Sequence, residues 1–307
     1  MVIARFLIPD SQKSRFPIPD SRFPIPDSRF PIPDSRFPIP DSLLFALLDS
    51  IELAYDDGGS GTPCLFVHGF PHNRSLWTPQ LQGLTVNVRC LAPDLRGFGE
   101  TTVLPPFSMA RYADDLAALL DVLHVDKAVV AGLSMGGYVV FEFWRRHPDR
   151  VRALVLCNTR AGADGLEAKE KRRAQMTVAR EHGSSAIADS MMTGMLGKTT
   201  REKRPEITNE VHRMISSAPV EGLVGALQAM IDRPDSTPTL ATINVPTLVV
   251  TGDEDTIIPV EEARALHAGV RGSKLEIISG AGHLSNLERP SAFNHVFSEF
   301  LAQLSGN

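Results

Sequence analysis

Gly132-Leu133-Ser134-Met135-Gly136 sets a serine between two glycines, after the apolar run Ala128 to Ala131 and before the amphipathic run Gly137 to His147. That order predicts a strand, a sharp turn and a helix, which together put a serine hydroxyl at the carboxyl end of a sheet. Glycines suit such a turn because backbone crowds backbone where a Cβ would clash. A helix opening at Met135 aims its free N–H groups and its dipole at the same point. The chemistry is nucleophilic, and a serine hydroxyl attacks only when a base takes its proton and an acid orients that base. Both partner types lie downstream. The run Pro246 to Thr251 ends in Gly252-Asp253-Glu254-Asp255, a carboxylate cluster, and the following run ends in Gly280-Ala281-Gly282-His283, a histidine on a glycine-rich loop.

The elements that must position these groups alternate between two periodicities. Short apolar or β-branched runs at Cys64 to Val67, Val86 to Ala92, Ala128 to Leu133, Val151 to Cys157, Pro246 to Thr251 and Lys274 to Ile278 predict buried strands. Helical spacing marks Met109 to Leu123, Met135 to His147, Glu261 to Ala268 and Pro290 to Leu304. Alternation of this kind predicts an α/β fold, a doubly wound, mostly parallel sheet, over residues 43–158 and 236–307. From Thr159 to Asp235 the strand signal stops and helical patterns are punctuated by Gly183, Gly197, Pro205 and Pro219, so residues 159–235 read as an inserted helical cap. Six of the nine methionines fall there: Met176, Met191, Met192, Met195, Met214 and Met230. A thioether suits a deformable pocket wall, and it equally suits plain packing between cap helices.

Composition bounds the rest. The 307 residues are 43% hydrophobic and 22% charged, which excludes disorder of the whole chain, and the net charge of -5 gives no electrostatic case for nucleic acid or an anionic membrane. A small-molecule substrate is the expected partner. No apolar run reaches the length of a spanning helix, and Met1 to Asp10 lacks the features of a secretory signal, so a cytoplasmic protein is expected. Cys64, Cys90 and Cys157 each sit in or beside a strand-like run and form no CxxC pair, which predicts buried free thiols rather than a disulfide or a metal site.

Residues 1–42 are of another kind. Arg-Phe-Pro-Ile-Pro-Asp-Ser occurs four times without an error from Arg15 to Ser42, with a degenerate copy at Arg5 to Ser11. Paired prolines exclude helix and central strand, so an extended, solvated tail is expected. The nucleotide repeat CGATTCC, read through its three frames, spells the same heptapeptide, which suggests a tandem DNA repeat read into protein.

Taken together, these motifs resemble the α/β-hydrolase fold family, and within it the small capped esterase, lactonase and perhydrolase-like members. The resemblance covers roughly residues 50–304, and the order serine, aspartate, histidine is the family's own. It implies that Ser134 is the nucleophile and His283 the base, with Asp255 as the acid by its GxxD pattern and Asp253 as the lesser claimant. His68-Gly69-Phe70-Pro71 is similar to the family's oxyanion loop; Pro71 has no N–H, so Phe70 and Met135 are the implied backbone donors. Pro93-Asp94-Leu95-Arg96-Gly97-Phe98-Gly99 is similar to the PDxRGxG turn, a structural feature. Ser134 in place of a carboxylate disfavours the dehalogenase and epoxide-hydrolase branches, and Leu284-Ser285-Asn286-Leu287-Glu288 after the histidine is similar to the enol-lactonases. The implied activity is hydrolysis of a small carboxylic ester or lactone without cofactor or metal. Alternatives on the same triad are C–C bond hydrolysis and cofactor-free perhydrolysis, and a non-catalytic alternative is a ligand sensor.

Other candidates weigh less. His68 and His72 are four apart, but Gly69 and Pro71 make that segment a loop rather than a zinc-binding helix. Gly58-Gly59-Ser60-Gly61 lacks the following lysine of a phosphate loop. Arg160, just after the Val151 to Cys157 run, has two readings: a salt-bridged arginine, or a fork that receives a substrate carboxylate.

Overall fold

The computed structural model describes residues 2–5, 43–84 and 86–304. Among the described residues nine strands form one sheet: β1 (Val2–Arg5), β2 (Leu43–Leu48), β3 (Ile51–Gly59), β4 (Thr62–Val67), β5 (Val88–Pro93), β6 (Ala128–Leu133), β7 (Val151–Cys157), β8 (Thr247–Gly252) and β9 (Lys274–Ile278). Their spatial order is β1-β2-β3-β5-β4-β6-β7-β8-β9. The pairs from β5 through β9 run parallel, and β1, β2 and β3 add antiparallel pairs at the other end. Every residue of β6 and β8 is buried, because helices cover both faces of a parallel sheet and the strands lose their polar alternation.

The helices are α1 (Thr78–Gly83), α2 (Met109–Val122), α3 (Met135–Arg146), α4 (Leu166–Met195), α5 (Lys198–Lys203), α6 (Pro205–Ser216), α7 (Val220–Asp232), α8 (Thr237–Leu240), α9 (Val260–Gly269), α10 (Ser285–Glu288) and α11 (Pro290–Leu304). Ser108 caps α2, its hydroxyl accepting the Arg111 N–H at 3.0 Å. On one face of the sheet Phe66 packs between Trp77 and Phe297, with ring centroids 5.0 and 5.3 Å away. The four helices α4 to α7 all lie between β7 and β8, and α4 packs on both α6 and α7. Gly183, at φ 76°, breaks α4 into two helical pieces. Met195, Met214 and Met230 are buried, and Met176, Met191 and Met192 are partly buried against the core. Among the described residues no single helix is long and apolar enough to cross a membrane.

Three features differ from the sequence reading. Strands β2 and β3 were not expected; β3 carries Asp56, Asp57, Gly58 and Gly59, residue types that disfavour strands, and antiparallel pairing with β2 and β5 overrides that preference. Lys274 to Ile278 is a strand but not a buried one. It is the sheet's last strand with one neighbour, and Lys274, Glu276 and Ile277 are exposed. The expected solvated tail lies outside the described residues except at Val2–Arg5, which pairs antiparallel with β2, Val2 opposite Ala46. These four residues precede the first proline, Pro9, so each retains an N–H for pairing.

The chain leaves β4 toward β5 and returns across it to β6 on the other side, so β4 and β6 are neighbours whose following loops diverge. A crevice at the carboxyl ends of such a pair is where open α/β sheets bind ligands. The segment beginning at His68 follows β4, and Ser134 follows β6.

Candidate active site

Ser134 joins β6 to α3 with φ 56° and ψ −115°. A side chain at positive φ is strained, and it persists only where the surroundings over-determine it. Here the Ser134 N–H donates to the Cys157 carbonyl at 2.9 Å, and the Ser134 carbonyl accepts from Gly137 N–H at 2.9 Å and from the Thr159 hydroxyl at 2.8 Å. Gly136 has no room for a side chain, since a Cβ there would overlap the carbonyls of Val67 and His68. A Cβ at Gly69 would lie 2.9 Å from the Leu133 oxygen and 3.1 Å from the Ser134 Cβ. The Gly69-Phe70 backbone is thus packed against the serine turn. Met135 opens α3, so its N–H has no partner within the helix.

His68 explains how that loop is held. Its Nδ1 lies 2.9 Å from the Gly69 oxygen and its Nε2 accepts the Leu95 N–H at 2.9 Å, which ties the loop to the Pro93-to-Gly99 turn. Burial keeps the imidazole neutral, lowering its pKa to about 4. Phe98 sets its ring edgewise on both His68 and Phe70. In the same turn Arg96 is buried against Asp115 with two bonds of 2.8 Å, and the Asp94 carboxylate accepts from the backbone N–H groups of Arg74 and Glu100 at 2.7 and 3.0 Å.

The histidine and one carboxylate meet. His283 Nδ1 lies 2.9 Å from Asp255 Oδ2, with both side chains buried. The second oxygen of Asp255 accepts the Ile257 and Ile258 N–H groups at 2.9 Å each. Burial drives the Asp255 carboxyl pKa upward, but the adjacent His283 and these donors outweigh it and hold the group below its ordinary value. Asp253 does not share the site: it is exposed, and its oxygens accept from Gly280 N–H at 2.6 Å and the Ser279 hydroxyl at 3.0 Å.

Asn158 is a site residue that local sequence does not reveal. At φ 45° after β7, its side-chain amide donates to Asp255 Oδ2 at 2.8 Å and to the Gly282 carbonyl at 3.1 Å, and it accepts the Ser285 hydroxyl at 2.6 Å. It reaches Asp255 across 97 residues of chain, so no pattern could link them. His72 is buried, and burial above all lowers its pKa to about 3.

Arg160 is engaged rather than free. It donates to Asp164 at 2.6 Å, and Arg172 and Arg233 converge on the same carboxylate, Arg233 at 3.0 Å. Three guanidinium groups oppose burial and hold the Asp164 carboxyl at about 2. The Arg233 guanidinium also lies over the Tyr138 ring, 3.8 Å from its centroid. A cleft of about 450 Å³ opens between Asn73, Ser75, Ser217 and the α6 residues Glu210, Arg213 and Met214, and none of Ser134, Asp255 and His283 lines it. Among the described residues no group of three or more His, Cys, Asp or Glu stands close enough to hold a metal ion.

A serine at positive φ on a strand-turn-helix, with the Gly69 backbone packed against it, thus lies in a fold that also joins a histidine to an aspartate. Residues 62–290 match the model of the alpha/beta hydrolase fold, and the chain belongs to that family. Among its relatives, 3-oxoadipate enol-lactonase 2 of Acinetobacter baylyi is 30% identical over 241 residues, covering 78% of this chain and 88% of the relative. A thermophilic esterase from Thermogutta terrifontis, solved with malate bound, is 42% identical with a TM-score of 0.81, covering 83% of this chain and 94% of that one. The enol-lactonase of Burkholderia xenovorans LB400 is 27% identical with a TM-score of 0.79, covering 84% and 99%.

Proposed function

We propose that this chain is a serine hydrolase that cleaves a small carboxylic ester or lactone through an acyl-enzyme. The observation that carries the reading is the His283–Asp255 bond: with Nδ1–H given to Asp255, Nε2 keeps a lone pair for the serine proton. Ser134 Oγ attacks the carbonyl carbon as its proton passes to His283 Nε2. The resulting oxyanion takes the N–H groups of Phe70 and Met135, in keeping with the close packing of Gly69 on Ser134 and the free first N–H of α3. The carbon–oxygen bond to the leaving alkoxide then breaks, and His283 returns the proton to that oxygen. In a lactone the new hydroxyl remains on the acyl chain. Water, deprotonated by His283, attacks the acyl carbon, and the carboxylic acid leaves with Ser134 restored. Asp255 stays ionised throughout and stabilises the imidazolium. Residues 159–235, which carry helices α4 to α7, act as the cap and select the substrate.

The test is a panel of p-nitrophenyl esters of increasing acyl length together with simple lactones. Sustained turnover of at least one substrate, abolished in Ser134→Ala, is the expected result. A single burst of p-nitrophenol without turnover favours the sensor, and no reaction of Ser134 with any ester or with a fluorophosphonate label refutes the nucleophile.

A further inference from the structure

Glu288, the last residue of α10, is fully buried, and its carboxylate accepts from three backbone N–H groups. Oε1 takes Gly282 at 2.9 Å and Leu284 at 3.1 Å, and Oε2 takes Gly197 at 2.9 Å. Gly282 and Leu284 flank His283 on either side, whereas Gly197 belongs to the inserted helices, immediately before α5. Arg204, between α5 and α6, adds a second tie by donating to the Glu288 carbonyl at 3.0 Å.

A matching link runs to the other loop. Glu254, adjacent to Asp255, accepts the Thr199 N–H at 2.8 Å on one oxygen and the Thr199 hydroxyl on the other. The two loops are joined as well, Glu254 N–H donating to the Ala281 carbonyl at 2.8 Å. The fit leaves no slack at Gly197: a Cβ there would stand 2.6 Å from Glu254 Oε2 and 2.8 Å from the Gly282 nitrogen.

We propose that Glu288 and Glu254 are positioning residues that lock residues 197–199 of the inserted helices onto the loops bearing His283 and Asp255, so that the seating of the insertion sets the reach of His283 toward Ser134. The kinetic consequence rests on the hydrolase reading; the lock itself does not. Because Glu288 grips the peptide units before and after His283, a displaced insertion swings the imidazole, and a misplacement of about 1 Å costs roughly 100-fold in rate.

The decisive variant is Gly197→Ala, a single methyl added on the insertion, with Glu288→Gln as its partner on the His283 side. Gln keeps the volume, but an amide satisfying Gly282 and Leu284 with its oxygen turns an NH₂ toward Gly197 N–H. The probe is p-nitrophenyl acetate, whose two-carbon acyl group needs little from the pocket. Both variants are expected to lower kcat by about tenfold or more with KM nearly unchanged, and Gly197→Ala is expected to speed amide hydrogen exchange at Gly282 and Leu284. Unchanged exchange at those two amides in Gly197→Ala overturns the proposal whatever the kinetics, and so does a kcat within about twofold of the parent. If Glu288→Gln does not fold, Glu254→Gln, at a half-buried position, takes its place with the same expectation. If the parent hydrolyses no ester, the hydrolase reading fails, and exchange at Gly282 and Leu284 alone decides the lock.

Discussion

Asp255→Asn is the sharpest perturbation of the proposed chemistry, and its cost follows from the bonds that converge there. The parent carboxylate accepts four: His283 Nδ1 and the Asn158 amide on Oδ2, Ile257 and Ile258 N–H on Oδ1. A carboxamide has one acceptor oxygen. Turned to keep Ile257 and Ile258, it presents NH₂ to His283 and forces Nδ1 to accept, which leaves the proton on Nε2 and removes the base. Turned the other way, it points donors at two backbone donors and breaks the loop. The first arrangement loses less, and the wrong tautomer lowers kcat by about 10⁴-fold, equivalent to about 5.4 kcal/mol of transition-state stabilisation. Asp253→Asn loses only exposed contacts to Ser279 and Gly280 and stays within about threefold. The assay is kcat on p-nitrophenyl acetate for both variants, with circular dichroism and Tm to show that each is folded. A folded Asp255→Asn within tenfold of the parent, or a larger loss from Asp253→Asn, refutes the assignment of the acid.

Three further outcomes are expected. Arg160→Leu lowers kcat/KM for an ester bearing a second carboxylate by roughly ten- to a hundredfold and spares a neutral ester of equal size if its fork meets substrate; equal losses on both assign it to the Asp164 cluster alone. Because the folded Asp164 carboxyl is held at about 2, below its unfolded value, its contribution to stability is present above about pH 4 and is lost as the pH falls through about 2. The difference in urea midpoint between the parent and Asp164→Asn should therefore shrink over that window, and a constant difference from pH 7 to pH 2 counts against it. Deleting residues 1–42 removes β1, an edge strand remote in the sheet order from β4 and β6, so kcat/KM should be unchanged; a loss of turnover shows that the segment supports the site.

Much of the arrangement is written in local stretches of the chain. The run from Ala128 through Gly136 encodes its own strand, turn and helix start, because each part is a local preference: apolar residues for a covered strand, glycines where backbones touch, an amphipathic period beyond. The central strands and the four helices predicted outside residues 159–235 appear within a residue or two of their predicted bounds for the same reason. The strands that local signals missed, β2 and β3, exist because of a neighbour: Asp56, Asp57, Gly58 and Gly59 gain in the sheet what their own preferences deny them. Lys274 to Ile278 shows the converse, since its pattern says strand but cannot say that, among the described residues, the strand has only one partner.

Read alone, the chain shows which residue types stand at strand ends, and so points to the family and to Ser134, Asp255 and His283 as candidates. Contacts between distant elements show which of two carboxylates faces His283, that Asn158 bonds to it, that Arg160 is held by Asp164, and that Glu288 grips both sides of His283 while reaching Gly197. Each of those contacts joins groups whose separation in the chain bears no relation to their separation in space, apart from Arg160 with Asp164 and Glu288 with its own loop. A buried carboxylate with three backbone donors looks, in sequence, the same as a solvated one. The difference lies in where the donors are, and folding alone brings them there.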